Sequence, residues 1–152
     1  MSPFKFRAAA ALEIRRREED AAALELARKD ASFRQIESAL QSAEHARTTA
    51  LADQHAHSQQ GIDIATLFWH RNWIVRLQAT VVDLRVETHA AQQAVHIARQ
   101  AWQLAKRRRL SLERLRDRAQ ARHRADEQRE ELKVIDELAR VRFTTPDPGM
   151  EM

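Results

Sequence analysis

Glycine, proline and cysteine are nearly absent from this chain. Its 152 residues include no cysteine, two glycines and three prolines, and between Pro3 and Pro146 the only glycine or proline is Gly61. Turns depend heavily on these residues, so a globular domain with many turns is excluded and there is room for about one turn. The absence of cysteine excludes disulfides and thiolate metal sites.

Long apolar runs and catalytic motifs are also missing. No run approaches the roughly 20 residues that span a bilayer, and Glu13 with the arginines after it interrupts any signal-peptide core. His55 and His57, like His89 and His96, lack the i, i+4 spacing of a zinc site. No glycine-rich phosphate loop or nucleophile elbow occurs. We therefore expect a soluble cytoplasmic protein that is not an enzyme and has no catalytic residues, metal or cofactor.

Alanine and charged residues are abundant, and charged residues make up 32% of the chain. This composition favours long solvated helices. Apolar residues recur at heptad spacing in the first half, for example at Leu26, Phe33 and Leu40. A cleaner heptad seam is predicted in the second half at Ile74, Leu77, Val81, Leu84, Thr88, Ala91, Val95, Ala98, Trp102 and Ala105.

These patterns predict an all-α fold, a long antiparallel two-helix coiled-coil hairpin with unequal arms. Helix one is expected at about 3–53, with Ser2 as its cap and Pro3 at its first position. The bend is expected at about 54–62 and helix two at about 63–142, capped by Asp63. The hairpin would form a single domain over 1–143, followed by a disordered tail over 144–152.

Folding the chain near residue 60 also predicts which residues face each other across the hairpin. Helix two would extend beyond helix one, so that an overhang begins at about Asp117. The expected pairs are Leu40 with Val81, Phe33 with Thr88, Leu26 with Val95, and Leu12 with Arg109.

The few aromatic residues gather beside the predicted bend. Phe68, Trp69 and Trp73 follow Gly61 closely, where helix one offers few large side chains to cover them. They could close the hairpin as a small core. Exposed apolar clusters on a polar protein also mark interaction sites, and tryptophan is enriched among interface hot spots. We expect a partner-binding tip here.

Arginine and lysine concentrate between Arg99 and Arg124, where Glu113 and Asp117 are the only acids. A solvated face is one interpretation, with Glu113 pairing with Arg109 or Arg116, and Asp117 with Arg114. Docking on an acidic protein surface is another. Nucleic-acid binding ranks below both, because no stacking aromatics interleave with the arginines beyond Trp102.

The predicted overhang regains an apolar stripe towards its end. Its members have no partner in the expected hairpin, so they require an intermolecular one, and self-association into a bundle remains an alternative. The stripe comprises Leu132, Ile135, Leu138 and Phe143.

Three segments together resemble the flagellar FliJ family of type III export proteins. They are the opening "FKFRAAAALEIRRREED", the segment "KRRRLSLERLRDR" after Trp102, and the ending "DEQREELKVIDELARVRF". The resemblance covers roughly 4–143 and lies in the order of the segments. It implies a cytoplasmic, non-enzymatic coiled coil that is similar to the stalk of rotary ATPases and is peripherally associated with the inner membrane. An equivalent stalk of a virulence secretion system, or a basic structural or nucleic-acid-binding coiled coil, is the alternative.

The resemblance also implies partners for particular residues. These are the export ATPase ring, the cytoplasmic domain of the export-gate membrane protein, and export chaperones. Small residues at about Ala39, Ala43, Ala46 and Ala50 stand where aromatics occur in other members, so helix two is expected to carry most of the gate contact. The expected gate-binding residues are Phe68, Trp69, Trp73, Leu77, Thr80 and Leu84. The expected ring-docking residues are Arg15, Arg16, Arg107, Arg108, Arg109, Arg114, Arg116 and Arg118.

Overall fold

The chain folds into two long α-helices in a computed structural model that describes residues 2–144. Helix α1 spans Ala9–Gln60, with 52 residues, and helix α2 spans Ile64–Thr144, with 81 residues. Neither these helices nor the segments beside them contain a β-strand. The two helices pack against each other, so the predicted all-α hairpin with arms of unequal length is confirmed.

The first helix begins later than the sequence suggested. Ser2 to Ala8 lie outside α1, and the amide of Ala9 donates a hydrogen bond to the carbonyl of Phe6 at 3.2 Å. The predicted Ser2 cap and Pro3 start are therefore wrong. The Phe4 ring instead packs edge-on against His123 of α2 at a centroid distance of 5.6 Å. This aromatic contact outweighs the local preference of Ser-Pro for a helix start.

Helix α1 also ends later than predicted. Its last turns include His55 and His57, which the sequence assigned to the bend, and only Gly61, at φ +78°, leaves the helical conformation for the left-handed region. A polar composition does not by itself stop a helix. Side chains here bond to the preceding turn, as His57 Nδ1 does with the Asp53 carbonyl at 2.7 Å. Gly61 stops the helix because glycine carries no Cβ to oppose a positive φ.

The predicted cap of the second helix is confirmed. The amide of Thr66 donates to Asp63 Oδ1 at 3.0 Å, and the amide of Leu67 donates to the Asp63 carbonyl at 3.1 Å. Hydrogen bonds from Thr66 hold the pKa of the Asp63 carboxyl below its ordinary value. The connection between the helices is therefore only three residues long, from Gly61 to Asp63.

The helices divide into two compact units. Among the described residues, one unit comprises 2–17 and 106–144, and the other comprises Glu18–Ala105. In the second unit the heptad seam of α2 faces α1 as predicted, with Val81 fully buried and Leu77 and Val95 nearly so. The remaining seam positions from Ile74 to Trp102 are buried or half-buried.

The pairing across the hairpin differs from the prediction. Arg85 bonds Glu44 at 3.2 Å in the second unit, and in the first unit Arg16 bonds Glu113 at 3.4 Å. In both contacts, the residue of α2 that faces a given residue of α1 lies about two helical turns further along α2 than predicted. The predicted pairs were Leu40 with Val81, Phe33 with Thr88, Leu26 with Val95, and Leu12 with Arg109. The long α1 and the short connection move the point about which the chain folds. A shift close to one heptad leaves the seam facing the same way.

The predicted overhang begins too early along α2. Within the first unit, Phe4 covers His123, and Ala119 and Glu127 are also half-buried, so the prediction that the overhang starts at Asp117 is wrong. The non-helical N-terminal segment provides this cover. Every residue from 128 to 144 is exposed. Thr144 belongs to α2, and the rest of the predicted tail, residues 145–152, lies outside the described residues.

Candidate protein-interaction sites

The three aromatic residues near the start of α2 are exposed. Phe68, Trp69 and Trp73 expose 56%, 62% and 44% of their surface, so they do not form a buried core. Trp69 and Trp73 line a shallow groove between the helices. The α1 wall of this groove includes the small residues Ala46 and Ala50, which leave both indole rings uncovered.

Phe68 lies outside that groove. One residue turns an α-helix by about 100°, so Phe68 projects to a different side from Trp69. The other expected gate-binding residues differ in exposure. Leu77 is buried and Leu84 is half-buried in the seam, whereas Thr80 is exposed. The accessible part of the predicted stripe is thus Trp73 and Thr80, with Trp69 beside them.

A buried histidine supports this groove. His70 is only 8% exposed, and its ring centroid lies 5.2 Å from that of His57 on α1 and 5.2 Å from that of Trp69. His70 lies outside the predicted seam, which begins at Ile74. The heptad spacing from His70 to Leu77 and Leu84 was the available signal.

The basic stretch of α2 contains arginines that are engaged within the first unit. Glu113 accepts hydrogen bonds from Arg109 at 2.8 Å and from Arg16 of α1 at 3.4 Å. Partial burial raises the pKa of the Glu113 carboxyl, but the bonds and charges of the two arginines outweigh it and leave that pKa below its ordinary value. Arg116 pairs with Asp117 at 3.0 Å, in place of the expected Arg114.

The remaining ring-docking candidates separate by exposure. Arg15 is half-buried and makes contacts of its own. Arg107, Arg108, Arg114 and Arg118 are exposed. The heptad seam continues through Arg109 and Arg116, so these two face α1, whereas the four exposed arginines lie outside the seam. The fold thus divides the predicted ring-docking arginines into two sets.

The apolar stripe near the end of α2 is solvent-exposed throughout. Leu132, Ile135 and Leu138 are each more than half exposed, and Phe143 is 92% exposed. Val134 and Val141 widen this surface. Ile135, Leu138 and Phe143 line one shallow depression on it together with Arg142.

Residues 2–144 contain neither a metal-binding cluster nor a membrane-spanning helix. No three histidine or acidic side chains in this range are placed to hold a metal ion. Neither described helix contains a window apolar enough to cross a bilayer.

Comparison with known proteins identifies the family. The family model described as Flagellar FliJ protein matches residues 5–146, which is nearly the whole chain. The chain belongs to the FliJ family. No curated protein and no solved structure matches it.

FliJ membership confirms the resemblance and gives the candidate sites a context. The protein is a flagellar export-related coiled-coil protein, and the FliJ family is a non-catalytic component of the export system. Membership also implies interaction with the export apparatus. The groove at Trp69 and Trp73, the exposed arginines and the terminal stripe are its candidate contact surfaces.

Proposed function

We propose that this protein is a cytoplasmic stalk of the flagellar export apparatus, peripheral to the inner membrane. Its arginine-bearing unit docks in the export ATPase ring, and its aromatic tip binds the cytoplasmic domain of the export gate. It also escorts export chaperones. The observation that carries this proposal is the FliJ family match over residues 5–146 of a two-helix hairpin.

Exposed charge supports the ring contact. Arg107, Arg108, Arg114 and Arg118 are free to reach carboxylates of a ring, to which guanidinium groups bind in bidentate geometry. Arg16, Arg109 and Arg116 already pair with carboxylates of this chain, and of these three pairs the Arg16–Glu113 pair joins the two helices of the unit. The terminal apolar stripe lies in the same unit and takes an intermolecular partner.

The experiment for the ring contact mixes the full chain with the export ATPase. We expect faster ATP hydrolysis and more ring assembly, because a stalk that fills the ring links its subunits. Light scattering and phosphate release measure the two effects. An ATPase that neither assembles nor hydrolyses ATP differently with the chain present would reject the ring contact.

Exposed tryptophan supports the gate contact. Trp73 offers a large apolar surface beside small residues of α1, so a partner side chain can pack against the indole ring. Helix α2 supplies both aromatic residues of this groove. The gate contact is therefore expected to depend more on α2 than on α1.

Replacing Trp73 tests this contact. We expect Trp73→Ala to weaken binding of the gate domain by at least about tenfold, which corresponds to about 1.4 kcal/mol. Isothermal titration measures the affinity, and circular dichroism should show unchanged helicity because the side chain is 44% exposed. Leu24→Ala, a similarly exposed apolar residue of the same unit, is the matched control. Equal affinities of Trp73→Ala and the parent chain for the gate domain would show that Trp73 does not contribute to the gate contact.

A further inference from the structure

A second apolar row runs along the outer side of α2. Ile64, Val75, Val86 and Ile97 are 72%, 67%, 67% and 65% exposed, and each lies eleven residues after the one before. Eleven residues complete almost a whole number of helical turns, so the four side chains lie on one line along the helix. All four belong to the second compact unit. We call them the outer row.

The outer row is distinct from the seam that holds the hairpin together. Near the middle of the row, Val81 is fully buried against α1 while Val82 is about half exposed. The row also excludes Trp69 and Trp73 of the tip groove. Val82 and Ala79 lie beside the row and widen it. An exposed apolar line of this length on a polar helix is a candidate interaction surface.

The order of residues in the row indicates what that partner is. Read in either direction the row is isoleucine, valine, valine, isoleucine, at equal spacing. An antiparallel copy of α2 would therefore place Ile64 against Ile97 of the other copy and Val75 against Val86. Such a contact is isologous, since the same surface serves both subunits around a two-fold axis.

Charges beside the row match the same arrangement. Arg76, Asp83 and Glu87 each follow an apolar residue of this surface by one position, so all three lie on one flank. Around a two-fold axis this flank meets itself. Arg76 then lies level with the midpoint between Asp83 and Glu87 of the other copy, about 3 Å along the axis from each. The pairing places one guanidinium between two carboxylates on each side of the two-fold axis.

The other flank makes a parallel arrangement unfavourable. It carries Arg71 and Arg85 and no carboxylate between positions 64 and 97. Two parallel helices would bring the Arg76 flank of one copy against the Arg71 flank of the other, so that Asp83 and Glu87 would lie level with Arg85. Arg85 is already bonded to Glu44 of its own α1, and Arg76 would then have no carboxylate level with it.

We propose that the outer row of α2 is a self-association surface, through which two copies of this chain form an antiparallel dimer. The row from Ile64 to Ile97 is about 50 Å long and one helix, about 10 Å, wide. That gives on the order of 500 Å² per partner, below the roughly 800 Å² of a standard interface. Interfaces of this size are typical of transient contacts, so we expect a reversible dimer.

Sedimentation equilibrium on the full chain tests self-association. We expect a monomer–dimer equilibrium between roughly 1 and 100 µM. Val75→Lys should weaken the dimer about 100-fold, at about tenfold for each of its two copies. Leu24→Lys, which changes an exposed apolar residue on α1, should leave association unchanged. A chain that stays monomeric throughout, or a Val75→Lys variant that dimerises like the parent, overturns the proposal.

A second substitution tests the antiparallel pairing. Val86→Glu alone should also weaken the dimer, whereas Val75→Lys and Val86→Glu in one chain should restore it, because each lysine then faces a glutamate of the other copy. Circular dichroism checks that the variants remain helical. If Val134→Lys in the terminal stripe abolishes association and Val75→Lys does not, the copies meet through that stripe and the outer row is rejected.

Crosslinking gives an independent check, since the chain has no cysteine of its own. Val75→Cys mixed with Val86→Cys should crosslink with a short bifunctional thiol reagent. Val75→Cys alone should not, because its two thiols would be eleven residues, about 16 Å, apart along the axis. Equal crosslinking of Val75→Cys alone would indicate parallel copies and contradict the pairing.

Discussion

At the scale of single residues, one glycine places the turn of the hairpin. Gly61 is the only residue of positive φ among residues 2–144, and α1 continues through a polar segment until it reaches Gly61. A Cβ added at Gly61 would meet nothing within 4 Å. The requirement for glycine is therefore conformational, not steric.

Gly61→Ala should lower the free energy of unfolding by roughly 1–2 kcal/mol, the cost of holding a residue with a Cβ in the left-handed region. Urea denaturation followed by circular dichroism measures it. Gly61→Asn is the matched control and should lose less, because asparagine tolerates this region better. An alanine variant as stable as the parent would mean that the turn does not need a positive φ.

At the start of the chain, the local sequence pattern does not predict the conformation. Ser2 and Pro3 fit the pattern of a helix start, but Phe4 and Phe6 are half-buried outside the helix. A contact between Phe4 and His123, distant in sequence, decides the local conformation. No pattern within the first residues could have indicated it.

At the scale of elements, α2 carries two apolar repeats with different periods. The seam repeats every 3.5 residues and follows α1, whereas the outer row repeats every eleven residues and follows the straight helix surface. The seam was predicted position by position. A heptad pattern does not predict the outer row, because residues eleven apart fall at different heptad positions. The signal for the row in the sequence is its eleven-residue period.

The two helices of the first unit are joined through Glu113, which makes this contact sensitive to acid. Arg16 and Arg109 keep the pKa of the Glu113 carboxyl below its ordinary value. The resulting stability is present above the unfolded-state pKa of about 4.5 and is lost as pH falls through the lower folded-state value. Glu113→Gln keeps an acceptor oxygen but removes the charge.

We expect Glu113→Gln to be less stable than the parent at neutral pH, and the difference to shrink as pH falls below about 4.5. Thermal unfolding at a series of pH values measures this difference. Glu131→Gln, an exposed acid of the same unit, is the control and should follow the parent chain. A gap between Glu113→Gln and parent that stays constant down to strongly acidic pH would exclude the charge as its cause.

At the scale of the whole molecule, the two compact units carry different candidate contacts. The exposed arginines and the terminal stripe belong to one unit, and the aromatic groove and outer row belong to the other. If these are separate binding sites, substitutions should separate their functions. This expectation rests on the proposed stalk function.

The double substitution Arg107→Glu and Arg108→Glu should reduce stimulation of the export ATPase by at least about tenfold while leaving gate binding intact, because charge reversal turns attraction to acidic groups into repulsion. Trp73→Ala should weaken gate binding while leaving stimulation of the export ATPase intact. ATP hydrolysis and gate-domain affinity, both measured on both variants, decide this. The control is Arg28→Glu with Arg99→Glu, an equal change of charge at exposed residues of the other unit. Equal losses of both activities in either variant would argue against separate sites.

The sequence by itself determined the helical class, a single turn in a region that includes Gly61, the Asp63 cap and the seam of α2. These follow from local conformational preference and from periodicity, both of which are written in consecutive residues. The sequence also pointed to the FliJ family. The register that it predicted between α1 and α2 was wrong by about two turns. Register depends on the length of the connection between the helices. The polar segment before Gly61 was predicted to belong to that connection, but it is part of α1.

Only the tertiary structure decided which arginines are exposed and that Arg16 of α1 bonds Glu113 of α2. The same folding step left Trp69 and Trp73 uncovered beside small residues and brought Phe4 onto His123. Each of these outcomes depends on which residue of α1 lies opposite which residue of α2. That pairing is set by the total free energy of the packed seam, so no single segment of the sequence contains it.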